Sequence, residues 1–407
     1  MPKRLLNLLY TDTGRDTSIV FIGTLMNVVA GGLFFIFVPR LLGPANYGLF
    51  SVVISTCIMV AAIANFGLDT GILRFAKKEN TLLGFAFKSY LLLGLATAVL
   101  GFIAAPYIAQ LLGYIEVTAL LRIGFIGVIF ILLTNFFVAA LQSRGEFKKA
   151  SIVNISSNLS RLLILAIAYY FFTVNLTFLT ALFFLITAVS VVIGAVYQPI
   201  SFKKTTQNKK EFFKYNFWIA SALIISSVPF DSFILLKLAG PVATGLYAAP
   251  FKILTFAYQF GGNFTRVLSS RYSSFDTADK AIKFSKKSLA FPLVFSAGLA
   301  FLVLLAPFIT ILFGENFGPA IPVMRILSVG FIFFFISTIP SSIILYYLGK
   351  SNVSFWITVI RYLVFIILLI TLVPRLQAIG GAWAFTITEL ISLVLMSAYA
   401  IYKLQAK

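Results

Sequence analysis

The sequence predicts an all-α integral membrane protein, with twelve transmembrane helices in two parallel six-helix bundles around a central cavity. Three observations predict it: a composition too apolar for water, twelve apolar runs of bilayer-crossing length, and an internal repeat at about half the chain. Of the 407 residues, 60% are apolar and 11% charged, and mean hydropathy is +1.01. A soluble domain is about 45–50% apolar and about 25% charged. So few charged side chains cannot cover a water-facing surface, which excludes a cytosolic enzyme, a secreted domain and a disordered chain.

A helix that crosses a bilayer needs about 20 mainly apolar residues. That template fits 18–38, 49–66, 85–106, 118–141, 151–172, 175–197, 217–238, 245–263, 288–312, 323–345, 354–373 and 378–402. Alternating strand patterning is absent, which argues against a barrel. The first 17 residues are polar and cationic, and the apolar run after them is longer than a signal-peptide core, so it reads as a retained first span. No connection exceeds about 25 residues, too short for a folded extramembrane domain.

Loop charge sets the orientation. With the N-terminus inside, cytoplasmic segments hold 23 Lys and Arg, most densely at Lys203, Lys204, Lys209, Lys210 and Lys214 and at Arg266, Arg271, Lys280, Lys283, Lys286 and Lys287. Outer loops hold only Arg40, Lys237 and Arg375. This bias places both termini in the cytoplasm and supports an even number of spans. It also accounts for the net charge of +20, which on a soluble chain would point to nucleic acid; no nucleic-acid partner is expected. With no His and only Cys57, the chain cannot assemble a zinc or iron–sulfur site or an internal disulfide. It has no phosphate-binding loop of the G-x-x-x-x-G-K-[ST] type. We therefore expect no metal, no cofactor and no catalytic residues.

The repeat is direct. Arg40-Leu-Leu-Gly43-Pro44-Ala-Asn-Tyr-Gly48-Leu49-Phe50 aligns without a gap on Lys237-Leu-Ala-Gly240-Pro241-Val-Ala-Thr-Gly245-Leu246-Tyr247, and the segment from Ala105-Pro106 to Gly113 aligns on that from Ala306-Pro307 to Gly314. Arg122 pairs with Arg325, and Arg161 with Arg361. Six spans per half make this a parallel repeat, with bundles at 1–202 and 203–407 whose rocking would alternate access to the cavity.

Cations inside spans are expensive. A central Arg costs about 2.5–3.5 kcal/mol on the mildest scale and faces protein or water. Lys88 is close enough to a span end to snorkel. Arg161 and Arg361 fall about ten and seven residues into the fifth and eleventh spans, a depth of about 10–15 Å. Ser151, Asn154, Asn158 and Arg161 share one helix face, and Ser351, Ser354, Thr358 and Arg361 repeat it. Lys252, Thr255, Gln259, Asn263 and Arg266 form a third stripe on the eighth span. The acids within spans are Asp231 and Glu389, too few for Arg122, Arg161, Lys252, Arg325 and Arg361. The surplus implies an anionic guest, with phosphate suited to Arg; the alternative is that these cations hold backbone carbonyls or lipid headgroups. Glu389 either pairs with Arg161 or Arg361, or binds a coupling H⁺ or Na⁺.

At these residues the chain resembles a known family. Phe37-Val-Pro-Arg-Leu-Leu-Gly-Pro-Ala-Asn-Tyr-Gly48, Gly67-Leu-Asp-Thr-Gly-Ile-Leu-Arg74 and Leu141-Gln-Ser-Arg-Gly-Glu-Phe-Lys148 are similar to segments of Wzx-type oligosaccharide and polysaccharide flippases. These belong to the MOP superfamily with MATE exporters and the lipid II flippase. The resemblance covers the whole chain and implies a MATE-like fold. It also implies a carrier that moves a polyprenyl-diphosphate-linked oligosaccharide across the bacterial or archaeal plasma membrane by alternating access, for cell-surface polysaccharide biosynthesis. MATE-type exporters are expected to carry an acid in the first span, where this chain has Thr24 and Asn27. Lipid II flippases typically have two further helices.

On this reading Arg161 and Arg361 hold the diphosphate, and Lys252, Arg122 and Arg325 help it enter and leave. Asn154, Asn158, Thr358 and Gln259 hydrogen-bond sugars, and Glu389 is the candidate for ion coupling. The expected partners are the lipid-linked substrate, membrane lipids, and polysaccharide polymerase and glycosyltransferase machinery. The rival readings are an ion-coupled small-molecule exporter of the same superfamily and a membrane-embedded glycosyltransferase or polymerase.

Overall fold

The computed structural model describes residues 12–76, 82–171, 173–200, 212, 216, 228–272, 275 and 277–405, excepting the side chains of 12–21, 257–267, 269 and 270. No strand occurs among them. α1 (Asp12–Asn65) is 54 residues long, about 80 Å at 1.5 Å per residue against a hydrocarbon core of about 30 Å. It must cross twice, and it breaks at Gly43 (φ 69°, ψ 171°). Pro44 then opens the next helical stretch, the position where its missing N–H has no intrahelical role.

α2 (Leu68–Phe75), α3 (Leu82–Leu112), α4 (Val117–Ser143) and α5 (Phe147–Phe171) follow. α6 (Leu176–Leu185) and α7 (Ala188–Tyr197) together make one span. α8 (Phe230–Tyr272) breaks at Gly240 (φ 82°, ψ 178°), again just before a proline, Pro241. α9 (Ala278–Ser288) runs into α10 (Ala290–Leu304), and the short α11 (Ile309–Phe313) leads to α12 (Ala320–Ser342). α13 (Ser351–Gln405) breaks at Gln377 (φ 51°, ψ −127°), three residues after Pro374.

Nine helices among the described residues are long and apolar enough to cross a bilayer. α1 and α13 each account for two expected spans, and α8 carries the end of the seventh together with the eighth. Residues 217–227, the start of the seventh, lie outside the described residues, as does the 202/203 boundary. Large apolar side chains such as Leu100, Val196, Val294 and Ile367 are exposed, which suits lipid as the surrounding solvent. The chain is a multi-pass membrane protein.

The repeat is visible in the backbone. Left-handed glycines recur in pairs: Gly43 with Gly240, Gly113 (φ 85°) with Gly314 (φ 95°), and Gly145 (φ 76°) with Gly349 (φ 63°). Both halves therefore turn with the same local geometry at matching places, although the side chains around those turns differ.

Two compact units result: Met1–Phe34 with Phe50–Pro229, and Phe35–Leu49 with Phe230–Lys407. In the first, Gly127 of α4 meets Phe184 of α6, the small-residue approach by which membrane helices gain packing without a hydrophobic drive. In the second, the α1 segment lies on α8 reciprocally: Gly48 faces the carbonyl of Pro241, and Gly245 faces that of Pro44. A β-carbon at either glycine would meet backbone. This crossing explains why residues 35–49 group with the second unit. A further core in that unit gathers Tyr272, Ala281, Ile343, Ile344, Met396 and Leu404, with the Tyr272 hydroxyl 2.6 Å from Ser285 Oγ. Burial raises the Tyr272 pKa, and the Ser285 hydrogen bond lowers it in part.

Candidate functional site

The polar stripe of α5 is the first place to build from. Gly23 and Gly31 of α1 present no side chain to it, so Ser151 packs on Gly23 and Asn158 on Gly31. Asn158 then reaches α1: its Nδ2 donates to Asn27 Oδ1 at 2.8 Å. Its Oδ1 accepts from Arg161 Nη1 at 2.6 Å. Asn154, one turn along the stripe, is exposed.

Arg161 points at the break between α6 and α7. The last carbonyls of a helix lack intrahelical partners, and Arg161 Nε donates to one of them, Phe183 O, at 2.9 Å. Nη2 donates to Thr187 Oγ1 at 2.8 Å. The guanidinium carbon lies 4.2 Å from the centre of the Phe183 ring, a cation–π distance. Three of the five N–H donors of an Arg are thus placed, and all the acceptors are neutral. The residue is 8% exposed and makes no ion pair among the described residues. Its charge is held in position but not cancelled.

Arg361 of α13 is treated differently. Its Nη1 lies 2.8 Å from Glu389 Oε1, with side-chain exposures of 27% and 5%. Of the two partners open to Glu389 in the sequence, Arg361 is the one it meets. The guanidinium is also 5.1 Å from the Tyr362 ring centre. Thr358 turns its hydroxyl back to Ser354 O on its own helix at 2.9 Å. The two halves therefore match in sequence at their arginines but not in charge: neutral acceptors in one unit, a carboxylate in the other.

The remaining cations stand apart from both corners. Arg122 lies over Phe102 of α3, 4.6 Å from the ring centre, with a buried Nε that has no hydrogen-bond partner. Lys252 Nζ is 4.4 Å from the Phe35 ring centre. Arg325 is exposed. Gln259, Asn263 and Arg266 fall among side chains outside the described residues. Sequence reasoning missed Phe183 and Thr187. Thr187 is polar within an apolar span and so carried a signal; the Phe183 carbonyl carried none. The Asp231–Tyr247 pair was also missed: Tyr247 Oη donates to Asp231 Oδ2 at 3.1 Å.

Comparisons with known proteins agree with this architecture. Residues 13–267 match the model of a family described as polysaccharide biosynthesis protein. A comparison with curated proteins finds no match. Among solved structures, an inward-facing multidrug resistance MATE family transporter of the MOP superfamily is similar with TM-score 0.77 at 17% identity, covering 96% of this chain and 98% of that one. The lipid II flippase MurJ, in an inward closed conformation, has TM-score 0.72 at 17% identity, covering 94% and 87%. A MOP superfamily transporter from Pyrococcus furiosus, described as having a binding pocket of reverse polarity, has TM-score 0.65 at 17% identity, covering 100% and 96%. At such identities the likeness speaks for the fold, that of MOP-superfamily membrane transporters. The family match spans more than half of the chain, and the chain belongs to the polysaccharide biosynthesis protein family.

Proposed function

We propose that this protein is a flippase that moves a polyprenyl-diphosphate-linked oligosaccharide across the plasma membrane by alternating access, for cell-surface polysaccharide biosynthesis. One observation carries the reading: Arg161, inside a membrane span, is fixed by neutral acceptors and has no carboxylate. A buried cation without a counter-ion suits an anionic guest, and a diphosphate offers the guanidinium charge-assisted hydrogen bonds. Asn158 and Thr187 orient the group. Arg361 is available to phosphate only at the expense of its bond to Glu389, so Glu389 regulates that cation whether or not it also takes up a proton.

The family supports a role in polysaccharide synthesis, and the fold is shared with a lipid II flippase as well as with drug exporters. Loop charge supports a topology with both termini in the cytoplasm. Lys252, Arg122 and Arg325 are assigned to headgroup entry and exit. Asn154, Thr358 and Gln259 are assigned to sugar contacts, and the polymerase and glycosyltransferases of the same pathway are the partners.

The test is complementation of a flippase-deficient strain by the wild type, Arg161→Ala and Arg161→Lys, with protein levels in the membrane measured alongside. We expect surface glycan to be restored by the wild type, lost with Ala and partly retained with Lys. Full restoration by Arg161→Ala, with equal protein, would overturn the proposal and favour an exporter of small molecules that does not use this charge.

A further inference from the structure

The second unit contains a buried acid that the arginines do not account for. Asp231 lies in the first turn of α8, within the apolar stretch Phe230–Phe256. Its Oδ1 accepts from the Ser232 N–H at 2.7 Å and its Oδ2 from the Tyr247 hydroxyl at 3.1 Å. Tyr247 is itself 1% exposed, stacked on Phe251 with ring centres 5.3 Å apart, and backed by Gly381 of α13. The corner is therefore rigid and apolar apart from these groups.

The charged and titratable groups on the elements packed around Asp231 are Lys237 of α8, Arg40 and Tyr47 of α1, and Arg325 of α12, with Arg361, Tyr362, Arg375 and Glu389 of α13. Among the described residues, none of these forms a hydrogen bond or ion pair with Asp231, and Arg361 is bonded to Glu389 instead.

The repeat shows that packing does not require this acid. In the ungapped alignment of the Gly43-Pro44 and Gly240-Pro241 segments, Asp231 corresponds to Phe34 and Tyr247 to Phe50. In the first unit those two phenylalanines are buried, and each has its ring centre 6.1 Å from that of Phe183. The same frame is filled by two phenyl rings in one half and by a carboxyl–phenol pair in the other. A polar pair inside a span, where a hydrocarbon pair serves its counterpart, marks a functional group.

We propose that Asp231 is a proton-exchange site, with Tyr247 as its hydrogen-bond partner in both protonation states. In the carboxylate form the phenol donates to Oδ2. When a proton is taken from water onto Oδ2, that oxygen becomes the donor and the phenol oxygen the acceptor, and release reverses the exchange. The ligand is a proton and not a hard metal cation, because such cations take about six or more oxygen ligands, and the side-chain oxygens in contact here belong to two residues. The coupling role of this site rests on the transport reading above; the exchange itself does not.

Two measurements on the full chain separate the two. Infrared difference spectra of the protein in lipid nanodiscs, between acidic and alkaline buffer, should contain a protonated-carboxyl band that Asp231→Asn removes, Tyr247→Phe shifts and Asp231→Glu retains. Asp231→Phe with Tyr247→Phe copies the other half and serves as a second variant that removes the band if Asn perturbs folding. In proteoliposomes with an imposed pH gradient, lipid-linked oligosaccharide flipping by the wild type should respond to the gradient. Asp231→Asn should lose that response, and Asp231→Glu should keep it. A band unchanged by Asp231→Asn overturns the exchange site, whatever the substrate. A gradient response retained in Asp231→Asn overturns its coupling role. Absence of flipping by the wild type under any gradient sinks the flippase reading, while the infrared result still decides the site.

Discussion

Removing either partner of the Arg361–Glu389 pair should destabilise the protein, and removing both should not. Breaking a buried ion pair by deleting one partner costs about 3–5 kcal/mol, because the other charge is stranded, whereas replacing both by apolar groups is often neutral. Glu389, 5% exposed, meets the buried condition; Arg361, 27% exposed, meets it only in part. Arg361→Leu, which strands the deeper group, should therefore cost about 3 kcal/mol, the lower end of that range. Glu389→Leu strands a cation that solvent or headgroups partly reach, and should cost about 1–2 kcal/mol after discounting for that exposure. The double variant should lie within about 1 kcal/mol of the wild type, which makes the coupling energy at least about 2 kcal/mol. Polar contacts between membrane helices average only about 0.6 kcal/mol, so the expected coupling exceeds an ordinary contact. Reversible denaturant unfolding of the four purified proteins in one micelle system measures the cycle. Additivity of the single variants to within about 0.5 kcal/mol would refute the reasoning.

Three other outcomes follow from the geometry. Gly245→Ala would place a β-carbon against the Pro44 carbonyl, and overpacking of about 1–3 kcal/mol should lower the thermal midpoint and the membrane yield, whereas Gly298→Ala, with open space around it, should do neither. Asn158→Ala removes the acceptor of Arg161 Nη1 and the donor to Asn27, and leaving such groups unpaired should cost about 1–3 kcal/mol in unfolding measurements. Tyr272→Phe deletes the 2.6 Å bond to Ser285 and should cost about 1 kcal/mol, with Tyr272→Ala costing about 3–5 kcal/mol as a cavity opens among Ile343, Ile344 and Met396.

How much of this was legible in the sequence depends on the range of the contact. The spans and their repeat are local patterns, and Gly43-Pro44 and Gly240-Pro241 fold as the same left-handed break because glycine and proline fix backbone angles wherever they occur. The depth of Arg161 and the face it shares with Asn158 also follow from helical spacing. What holds the guanidinium does not. A main-chain carbonyl freed at the α6–α7 break has no residue-type signature, so Phe183 was invisible and Thr187 was only one polar residue in an apolar run. The partner of Glu389 lay between two arginines of equal standing until tertiary contact chose Arg361. The stripe above Thr358 was over-read: spacing puts its hydroxyl on the right face, but the side chain bonds to its own helix. Asp231 and Tyr247 are 16 residues apart across the Gly240 break, beyond the reach of a helical-periodicity argument.

The account stands most directly on whether the uncompensated charge of Arg161 holds a diphosphate. Native mass spectrometry of the purified protein with undecaprenyl diphosphate, and with undecaprenol as the phosphate-free control, measures this for the wild type, Arg161→Gln and Arg161→Lys. Losing a charge-assisted hydrogen bond is worth about 1.5–3 kcal/mol, so Arg161→Gln should weaken diphosphate binding by at least about tenfold and leave undecaprenol binding unchanged, with Lys in between. Equal diphosphate binding by the wild type and Arg161→Gln would contradict the account.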